Sequence, residues 1–379
     1  MSEMYEYKGE EIYTSVAGSF ARFTIEKRVP FILEELIKGN SFPKDVENKL
    51  WELRKSVPQG QLTPLGRNYP FAPEINKTLE YNSTYGWLNA PFLFVENYLY
   101  HKVAEICRFF ENRQDYFLYK KSADMDKGMD RFSEKLGQIN SIDSFPEICF
   151  MNLLGNKADL SQNSSYYSSD SAMDLLIDHR LSISSAISGA SQVDIVLDNS
   201  GEELFFDLLF VYWLLSKTTV SEIRLHFKMI PYFVSDALIS DYRLLLDKLG
   251  ENRNTAWFAK ELNRFEDKGK IVLEEDPFWS SGKSFCRIPE NLYGRLSSTD
   301  LIIFKGDLNY RRLVGDFYWP FEYKTSTLIN FLPSPILISR ILKSEVMVGL
   351  ATDEVPDKEN RDWMFSGRFG QLELVESPR

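Results

Sequence analysis

Short apolar runs alternate with longer amphipathic segments over the second half of the chain, and this alternation constrains the fold more than any other feature. The runs that we interpret as strands are VDIVLD, EIRLHFK, KIVLEED, TDLIIFKGD and EVMVGLA. The segments that we interpret as helices are GEELFFDLLFVYWLLSK, DALISDYRLLLDKLG, LNYRRLVGD and SPILISRILK. Strands that alternate with helices form βαβ units with helices on both faces of a sheet. The pattern therefore predicts an α/β fold, a three-layer sandwich with a largely parallel central sheet.

The first part of the chain has a different pattern, with apolar residues at helical spacing. FTIEKRVPFILEELIKG ends at a glycine that suits a helix C-terminus, and the proline of PKDVENKLWELRKSV suits a helix start. NAPFLFVENYLYHKVAEICRFFENRQ is apolar around more than half of its circumference, as in the central helix of a bundle. We therefore expect a helical N-terminal domain over residues 1–160, an exposed serine-rich loop over 161–171, and an α/β domain over 172–379.

Charge, cysteine and histidine content exclude several classes of function. With a net charge of −11 and a pI of about 5.1, the chain lacks the basic surface that nucleic acids and anionic membranes require. The three cysteines form no CxxC pair, and no two of the three histidines have metal-ligand spacing. Any bound metal is therefore expected to have oxygen ligands. Because the N-terminus is acidic and no long apolar run is present, we expect a protein of the cytosol or nucleus.

Polar residues follow the predicted strands at the ends where ligands bind in parallel sheets. VDIVLD ends in Asp198 and Asn199, and EIRLHFK ends at Lys228, after which a loop leads to Asp236. The run TDLIIFKGD ends with the triplet Lys305, Gly306 and Asp307. Three strand ends therefore bring carboxylates, an amide and lysines toward one rim of the sheet.

Each of these groups also has an ordinary structural explanation. Asp198 and Asn199 suit a tight turn, Asp236 suits a helix N-cap, and residues 305–307 suit a solvated turn. Their coincidence at one rim nevertheless favours a site. Two carboxylates and an amide oxygen form a hard, oxygen-rich pocket that suits Mg²⁺ or Mn²⁺.

The surroundings of this pocket suit a phosphate group. The helix that begins near Gly201 would direct backbone amides toward an anion, and Lys305, Arg311 and Lys343 could neutralise phosphate oxygens. Phosphoryl transfer requires positioning, charge neutralisation and a metal. The chain contains no serine-hydrolase GxSxG, no P-loop GxxxxGK[ST] and no dinucleotide-binding GxGxxG motif.

Several segments together resemble the metal-dependent damage-control phosphatases, specifically the subfamily that acts on sugar phosphates, which is also named as acidic-residue methyltransferase-like. The resemblance runs from about Gly18 to Leu350. It is carried by GSFARFTIEKRVPFIL, APFLFVENYLYHKV, NLLGNKADLS, LDNSGEELFFDL, KMIPYFVSD, IIFKGDLNYRRLVGD and RILKSEVMVGL. The family combines a helical N-terminal portion with an α/β domain, so the resemblance implies the same fold as the pattern.

The resemblance implies a set of functional residues. Its metal ligands correspond to Asp198, Asn199 and Asp236, with Mn²⁺, Co²⁺, Ni²⁺ or Mg²⁺ as the cation. Glu203, one helical turn later, is expected to act as a catalytic or water-orienting carboxylate. The residues expected to contact the sugar phosphate are Asp198, Asn199, Asp307, Leu308, Asn309, Tyr310, Arg311 and Lys343. The subfamily motif Arg-Thr-x-Lys matches Arg340 to Lys343, except that Ile341 replaces the threonine.

The resemblance implies hydrolysis of small sugar phosphates such as fructose 1-phosphate or fructose 6-phosphate in metabolite damage control. Either Asp198 attacks phosphorus or a metal-activated water does, and we favour water because Ser200 replaces the second aspartate of an Asp-x-Asp pair. Asp307 is a candidate acid or acceptor for a sugar hydroxyl. The alternatives are an S-adenosylmethionine-dependent protein carboxyl methyltransferase, although the chain lacks a glycine-rich methyltransferase loop, and a non-catalytic sugar-phosphate-binding protein. The oligomeric state stays open.

Overall fold

The computed structural model describes residues 9–155 and 173–376. Its strands are β1 (Glu10–Glu11), β2 (Asp174–Asp178), β3 (Gln192–Val196), β4 (Glu222–Phe227), β5 (Ile271–Glu275), β6 (Leu301–Lys305), β7 (Phe317–Tyr318), β8 (Ile336–Ile341) and β9 (Phe369–Val375).

The α-helices of the same residues are α1 (Phe20–Phe23), α2 (Val29–Gly39), α3 (Lys44–Ser56), α4 (Ala72–Tyr81), α5 (Phe92–Ile106), α6 (Phe109–Asn112), α7 (Leu118–Gln138), α8 (Phe145–Gly155), α9 (Arg180–Ser188), α10 (Glu202–Lys217), α11 (Ile239–Glu251), α12 (Ala256–Asp267), α13 (Glu290–Leu296), α14 (Gly306–Val314) and α15 (Thr325–Leu328). A π-helical turn (Thr24–Arg28) joins α1 to α2. Short 3₁₀ turns cover Ile139–Ser141, Pro277–Ser280, Phe285–Arg287 and Asp362–Phe365. No helix in the described residues has the length and apolar character needed to cross a membrane.

The central sheet has seven strands in the order β2-β9-β8-β6-β3-β4-β5. The strands β8, β6, β3, β4 and β5 are mutually parallel, and β9 runs antiparallel to β8. Along the chain, β3, β4 and β5 extend the sheet in one direction, and β6 and β8 then extend it in the other. Strand order therefore reverses between β3 and β6. In doubly wound sheets ligands bind at this switch point, beyond the carboxyl ends of the strands.

Two large apolar clusters cover the two faces of the sheet. Val193 and Ile195 of β3 belong to a cluster with α7, α8, α10, α11 and α12, whereas Val196 belongs to a cluster with helices of the first 117 residues. Burial on both faces explains why these strands have nearly continuous apolar sequences. The predicted α/β fold with a largely parallel central sheet is confirmed. The predicted linker 161–171 lies outside the described residues.

Two of the sequence-based secondary-structure assignments are wrong. SPILISRILK, predicted as a helix, contains strand β8, and all six residues of that strand are buried. EVMVGLA, predicted as a strand, has no regular structure. A short apolar run that is buried on both sides has no polar face to reveal its period, so pattern alone cannot separate strand from helix here.

Candidate active site

The site lies at the switch point, where β3 and β6 end side by side. Asp198 and Asn199 follow β3, and Gly306 and Asp307 open α14 directly after β6. Gly306 has φ +80°, and a Cβ atom at this position would overlap the carboxylate of Asp198. The sequence therefore needs glycine at residue 306, both for the backbone conformation and for the close approach to Asp198.

Backbone hydrogen bonds place Asp236 beside Asn199. The two residues form an isolated antiparallel bridge. On either side of it, the Ser200 amide donates to the Ser235 carbonyl at 2.7 Å and the Ala237 amide donates to the Asp198 carbonyl at 2.8 Å. The structure thus brings together the three residues predicted as metal ligands, which come from the crossovers after β3 and β4.

The loop that carries Asp236 has an unusual backbone. Phe233 and Val234 have φ of 43° and 70°, which is rare for residues other than glycine and especially so for a β-branched one. The Ser235 amide donates to the Phe233 carbonyl at 2.8 Å, so Val234 lies at the centre of a strained γ-turn. Strain of this kind persists only where surrounding contacts impose it, and it clusters at functional sites.

A buried lysine supplies one of those contacts. The Lys121 ammonium donates to the main-chain carbonyl of Asp236 at 2.8 Å and forms ion pairs with Asp241 at 2.7 Å and Asp115 at 2.8 Å. Lys121 is fully buried, and these two carboxylates raise the pKa of its amine despite burial. Helix α7 is thereby fixed to the loop of the site.

The carboxylates of the site are buried close to one another. Burial raises the pKa of Asp198 well above its usual range, and the neighbouring charges of Glu203 and Asp236 raise it further. The positive charges of Lys343 and Lys228 oppose this rise in the pKa of Asp198. Burial also raises the pKa of Glu203. The cluster carries more negative than positive charge, which is an unfavourable arrangement unless a cation is added.

The amide of Asn199 joins two of the carboxylates. Its Nδ2 donates to Asp198 Oδ2 at 2.9 Å and to Glu203 Oε2 at 2.8 Å, and its Oδ1 accepts a hydrogen bond from the Ser235 hydroxyl at 2.6 Å. Glu203 therefore points back from the first turn of α10 to the same centre as Asp198. The predicted proximity of these side chains agrees with the geometry.

Two predicted phosphate-binding cations are engaged elsewhere. The Lys305 ammonium lies 2.5 Å from Asn152 Oδ1 and 3.0 Å from Asp207 Oδ1. The Arg311 guanidinium pairs with Asp316 through two nitrogens and with Glu96 through the third at 2.7 Å. The arginine fixes α14 to α5, so its charge is already balanced by two carboxylates. The charge of Lys343 opposes the rise in the pKa of Asp198, and the charges of Lys305 and Lys343 both oppose the rise in the pKa of Glu203.

The side chains of residues 307–311 lie in different environments. Asp307 Oδ1 accepts a hydrogen bond from Arg340 at 2.6 Å, and the Arg340 guanidinium lies on the ring of Tyr310. Leu308 packs in an apolar cluster. The Asn309 Nδ2 donates to the carbonyls of Leu197 and Lys305, which fixes the ends of β3 and β6 to α14. Asp307 is thus the member of this segment whose carboxylate is held by a buried arginine near the switch point.

The Ile341 position is explained by the alternation of side chains along β8. Arg340 faces Asp307, so Ile341 faces the opposite side of the sheet, where it is fully buried in the cluster of α10 and α11. A threonine hydroxyl there would lie in an apolar environment. The departure from the motif therefore changes core packing and leaves the side chains of Arg340 and Lys343 on the site.

Three residues that matter to the geometry were not predicted as catalytic, metal-binding or substrate-binding: Lys121, Lys228 and Arg340, the last of which appeared only as the first residue of the Arg-Thr-x-Lys motif. Lys228 was found only as a strand end, although a lysine directly after a buried strand was a usable signal. Lys121 lies 115 residues before Asp236 on an amphipathic helix, and no local pattern marks it.

The donor set suits a hard divalent cation. Every candidate ligand presents oxygen, and the set of Asp198, Asn199 and Asp236 contains two carboxylates with one amide. No group of three or more His, Cys, Asp or Glu side chains within residues 9–155 and 173–376 is arranged to hold a metal. Two buried oxygens of the rim, Ser200 Oγ and Asn309 Oδ1, have no hydrogen-bond partner among these residues. Fold and site together define a doubly wound α/β protein with a cluster of buried acidic residues at its switch point.

Comparison with known proteins identifies the family to which this chain belongs. Residues 24–358 match the model of the damage-control phosphatase ARMT1-like domain. The chain is 30% identical to "Damage-control phosphatase ARMT1" from Rattus norvegicus, over 93% of this chain and 95% of that protein, and equally so to its namesake from Homo sapiens. The namesake from Xenopus laevis is also 30% identical, over 96% of this chain and 98% of its own length. The chain therefore belongs to the ARMT1-like damage-control phosphatase family.

A solved structure supports the fold. A DUF89 family protein from Pyrococcus horikoshii aligns with a TM-score of 0.51 and 14% identity, over 86% of this chain and 92% of that one. At this level of identity the likeness concerns the fold alone.

Proposed function

We propose that this protein is a metal-dependent phosphatase that hydrolyses small sugar phosphates such as fructose 1-phosphate and fructose 6-phosphate. The observation that supports it most is the meeting of Asp198, Asn199 and Asp236 at the switch point, with Glu203 against the same amide. Membership of a damage-control phosphatase family supports the phosphatase activity. The metal, the sugar phosphate and the roles of individual residues are inferred from the resemblance of the sequence motifs to this family, and the oxygen-rich set of Asp198, Asn199 and Asp236 is chemically compatible with them.

Asp198, Asn199 and Asp236 would hold a divalent cation, with Mn²⁺, Co²⁺, Ni²⁺ or Mg²⁺ as candidates. The acids outnumber the lysines whose charges act on them, so a cation would relieve their repulsion. The acids are Asp198, Glu203, Asp207 and Asp236, and the lysines are Lys228, Lys305 and Lys343. Asn199 now points its Nδ2 at the carboxylates. Rotating the side-chain amide by a half-turn would exchange its two ends, so that Oδ1 faces the carboxylates and Nδ2 faces Ser235. A cation bound there would polarise the phosphoryl oxygens and favour ionisation of water.

The residues around this pocket suit a sugar phosphate. Lys343 lies near Asp198 and Glu203 and would neutralise a phosphoryl oxygen. Asp307 would accept a hydrogen bond from a sugar hydroxyl, since Arg340 orients its carboxylate. The first turn of α14 lies beside Asp198 and presents backbone amides that favour an anion.

Glu203 is the residue best suited to take a proton from an attacking water. Burial raises the pKa of its carboxyl, which strengthens it as a base, and Asn199 fixes one of its oxygens. Position 200 is a serine, so no second carboxylate stands two residues after Asp198 to protonate a leaving group. We therefore favour attack by water over attack by Asp198.

The proposal is tested by measuring phosphate release from a panel of sugar phosphates with each of the four metals. We expect release that requires metal and falls at least 1000-fold in Asp198→Ala. Lys268→Met, a change on the exposed surface before β5, serves as the control and should leave the rate unchanged. Full activity after exhaustive chelation would contradict the metal requirement. Sugar-phosphate binding without hydrolysis would contradict the phosphatase activity.

A further inference from the structure

Lys228 differs from the other fully buried lysines that carry ion pairs in the described chain. Lys121 reaches two carboxylates and a carbonyl, and Lys305 reaches a carboxylate and an amide oxygen. Lys228 is 1% exposed, yet its ammonium has no hydrogen-bond acceptor among these residues and only approaches Asp236 Oδ2 at 3.4 Å. A buried ammonium with unsatisfied donors is costly, so its presence calls for an explanation.

The backbone fixes Lys228 at the rim of the site. It follows β4 directly, and its amide donates to the Ala237 carbonyl at 3.0 Å, next to the bridge between Asn199 and Asp236. Its ammonium is near enough to Asp198 to attract the charge of that carboxylate. The side chain therefore enters the acidic pocket from the side of the strand next to β3.

Lys228 and Lys343 approach Asp198 from opposite directions along the sheet. Strand β4, which Lys228 follows, lies on one side of β3. Strands β6 and β8 lie on the other side, and Lys343 follows β8. On the same rim, the Ser200 hydroxyl is buried and has no hydrogen-bond partner among the described residues. Two cations and a hydroxyl donor on one rim of the sheet suit a group with several anionic oxygens.

We propose that Lys228 binds the phosphoryl group of the substrate, as a second cationic contact opposite Lys343. This inference rests on the proposed function, because it takes the pocket to be a phosphatase site. Asp236 holds the ammonium at the rim until substrate enters, and the phosphoryl oxygens then provide the acceptors that the protein lacks. A lysine serves this purpose because its charge is compact and its three donors can rotate.

The alternative is that Lys228 only balances the charge of Asp236 and Asp198. The two roles predict different effects of replacing Lys228 on phosphate binding. If it only balances charge, a bound divalent cation replaces it, and phosphate binding to the metal-loaded protein is unaffected by its loss. If it contacts phosphate, the loss persists after the metal is bound.

The test is calorimetric titration of inorganic phosphate into protein saturated with Mn²⁺, preceded by titration of Mn²⁺ alone. We expect Lys228→Met to weaken phosphate binding at least tenfold, with Mn²⁺ binding equal to or tighter than that of wild type because a repelling charge has been removed. Lys228→Gln, which keeps the size and polarity of the side chain, gives the same comparison should the methionine variant not fold. Lys268→Met removes one exposed lysine and should change neither titration.

Phosphate affinity within twofold of wild type in either Lys228 variant would overturn the proposal. So would a loss of Mn²⁺ affinity with unchanged phosphate affinity, which would assign Lys228 to the support of Asp236. A wild-type protein that binds Mn²⁺ and phosphate but hydrolyses no sugar phosphate would contradict the proposed function and leave the Lys228 contact standing.

Discussion

Replacing Asp198 by asparagine should stabilise the metal-free protein while abolishing its activity. The carboxylate is buried, and burial together with Glu203 and Asp236 raises its pKa well above the usual range. Asparagine has nearly the same shape and can still accept the hydrogen bond from Asn199. Removing a poorly compensated buried charge should raise the free energy of unfolding by about 1–3 kcal/mol at pH 7.5.

The pH dependence of this effect has a definite sign. A carboxyl whose folded-state pKa exceeds its unfolded value near 3.9 favours folding below that value and loses this contribution as pH rises through the folded-state pKa. Wild type should therefore lose stability relative to Asp198→Asn as pH rises above about 4. Urea denaturation of both proteins at several pH values with a chelator measures the difference.

Bound metal should reverse this order and make wild type more stable than Asp198→Asn. A ligand at about 1,000 times its dissociation constant stabilises the native state by about 4.1 kcal/mol, which exceeds the expected advantage of Asp198→Asn, and only wild type should gain this with Mn²⁺. If Asp198→Asn is less stable than wild type without metal at pH 7.5, or if its advantage does not grow with pH, the account of an overcharged acidic pocket is wrong.

Further predictions concern residues around this pocket. Asp307→Asn should have the opposite effect from Asp198→Asn and destabilise the metal-free protein by about 2–4 kcal/mol, because it leaves the buried Arg340 without its carboxylate; urea denaturation checks this. Lys121→Met should cost about 3–5 kcal/mol for the same reason, against less than about 0.5 kcal/mol for the exposed Lys44→Met, and equal losses would contradict the structural role. Ile341→Thr should cost about 1–3 kcal/mol without raising kcat, because it puts a hydroxyl into an apolar cluster; a gain in kcat would show that the position serves the site.

Local pattern was enough to predict the parts of the site that belong to strand ends. Asp198 and Asp307 follow buried strands, and the carboxyl ends of parallel strands share one rim, so their proximity followed from the predicted fold. Gly306 was visible in the sequence as well. Its close contact with Asp198 was not, because that contact depends on how β6 and β3 pair.

The parts that escaped prediction depend on tertiary contacts. Asp236 was predicted at this rim, but the contacts that fix it there were not: a γ-turn at Val234, a residue whose intrinsic preference is extended, and Lys121 on a distant helix. Strand β8 escaped because both of its sides are buried and its sequence has no polar period. Arg311 was expected at the phosphate because of its charge, whereas its ion pairs with Glu96 and Asp316 depend on tertiary contacts that no local pattern shows.

The central claim is that Asp198, Asn199 and Asp236 form one coordination site. The most direct measurement is an anomalous difference map, collected at the manganese absorption edge, from crystals grown with Mn²⁺. The account predicts one strong peak at the carboxyl ends of β3 and β4, within ligand distance of Asp198, Asp236 and the amide oxygen of Asn199. A peak at another place, or none at this rim under conditions in which the protein hydrolyses sugar phosphates, would contradict it.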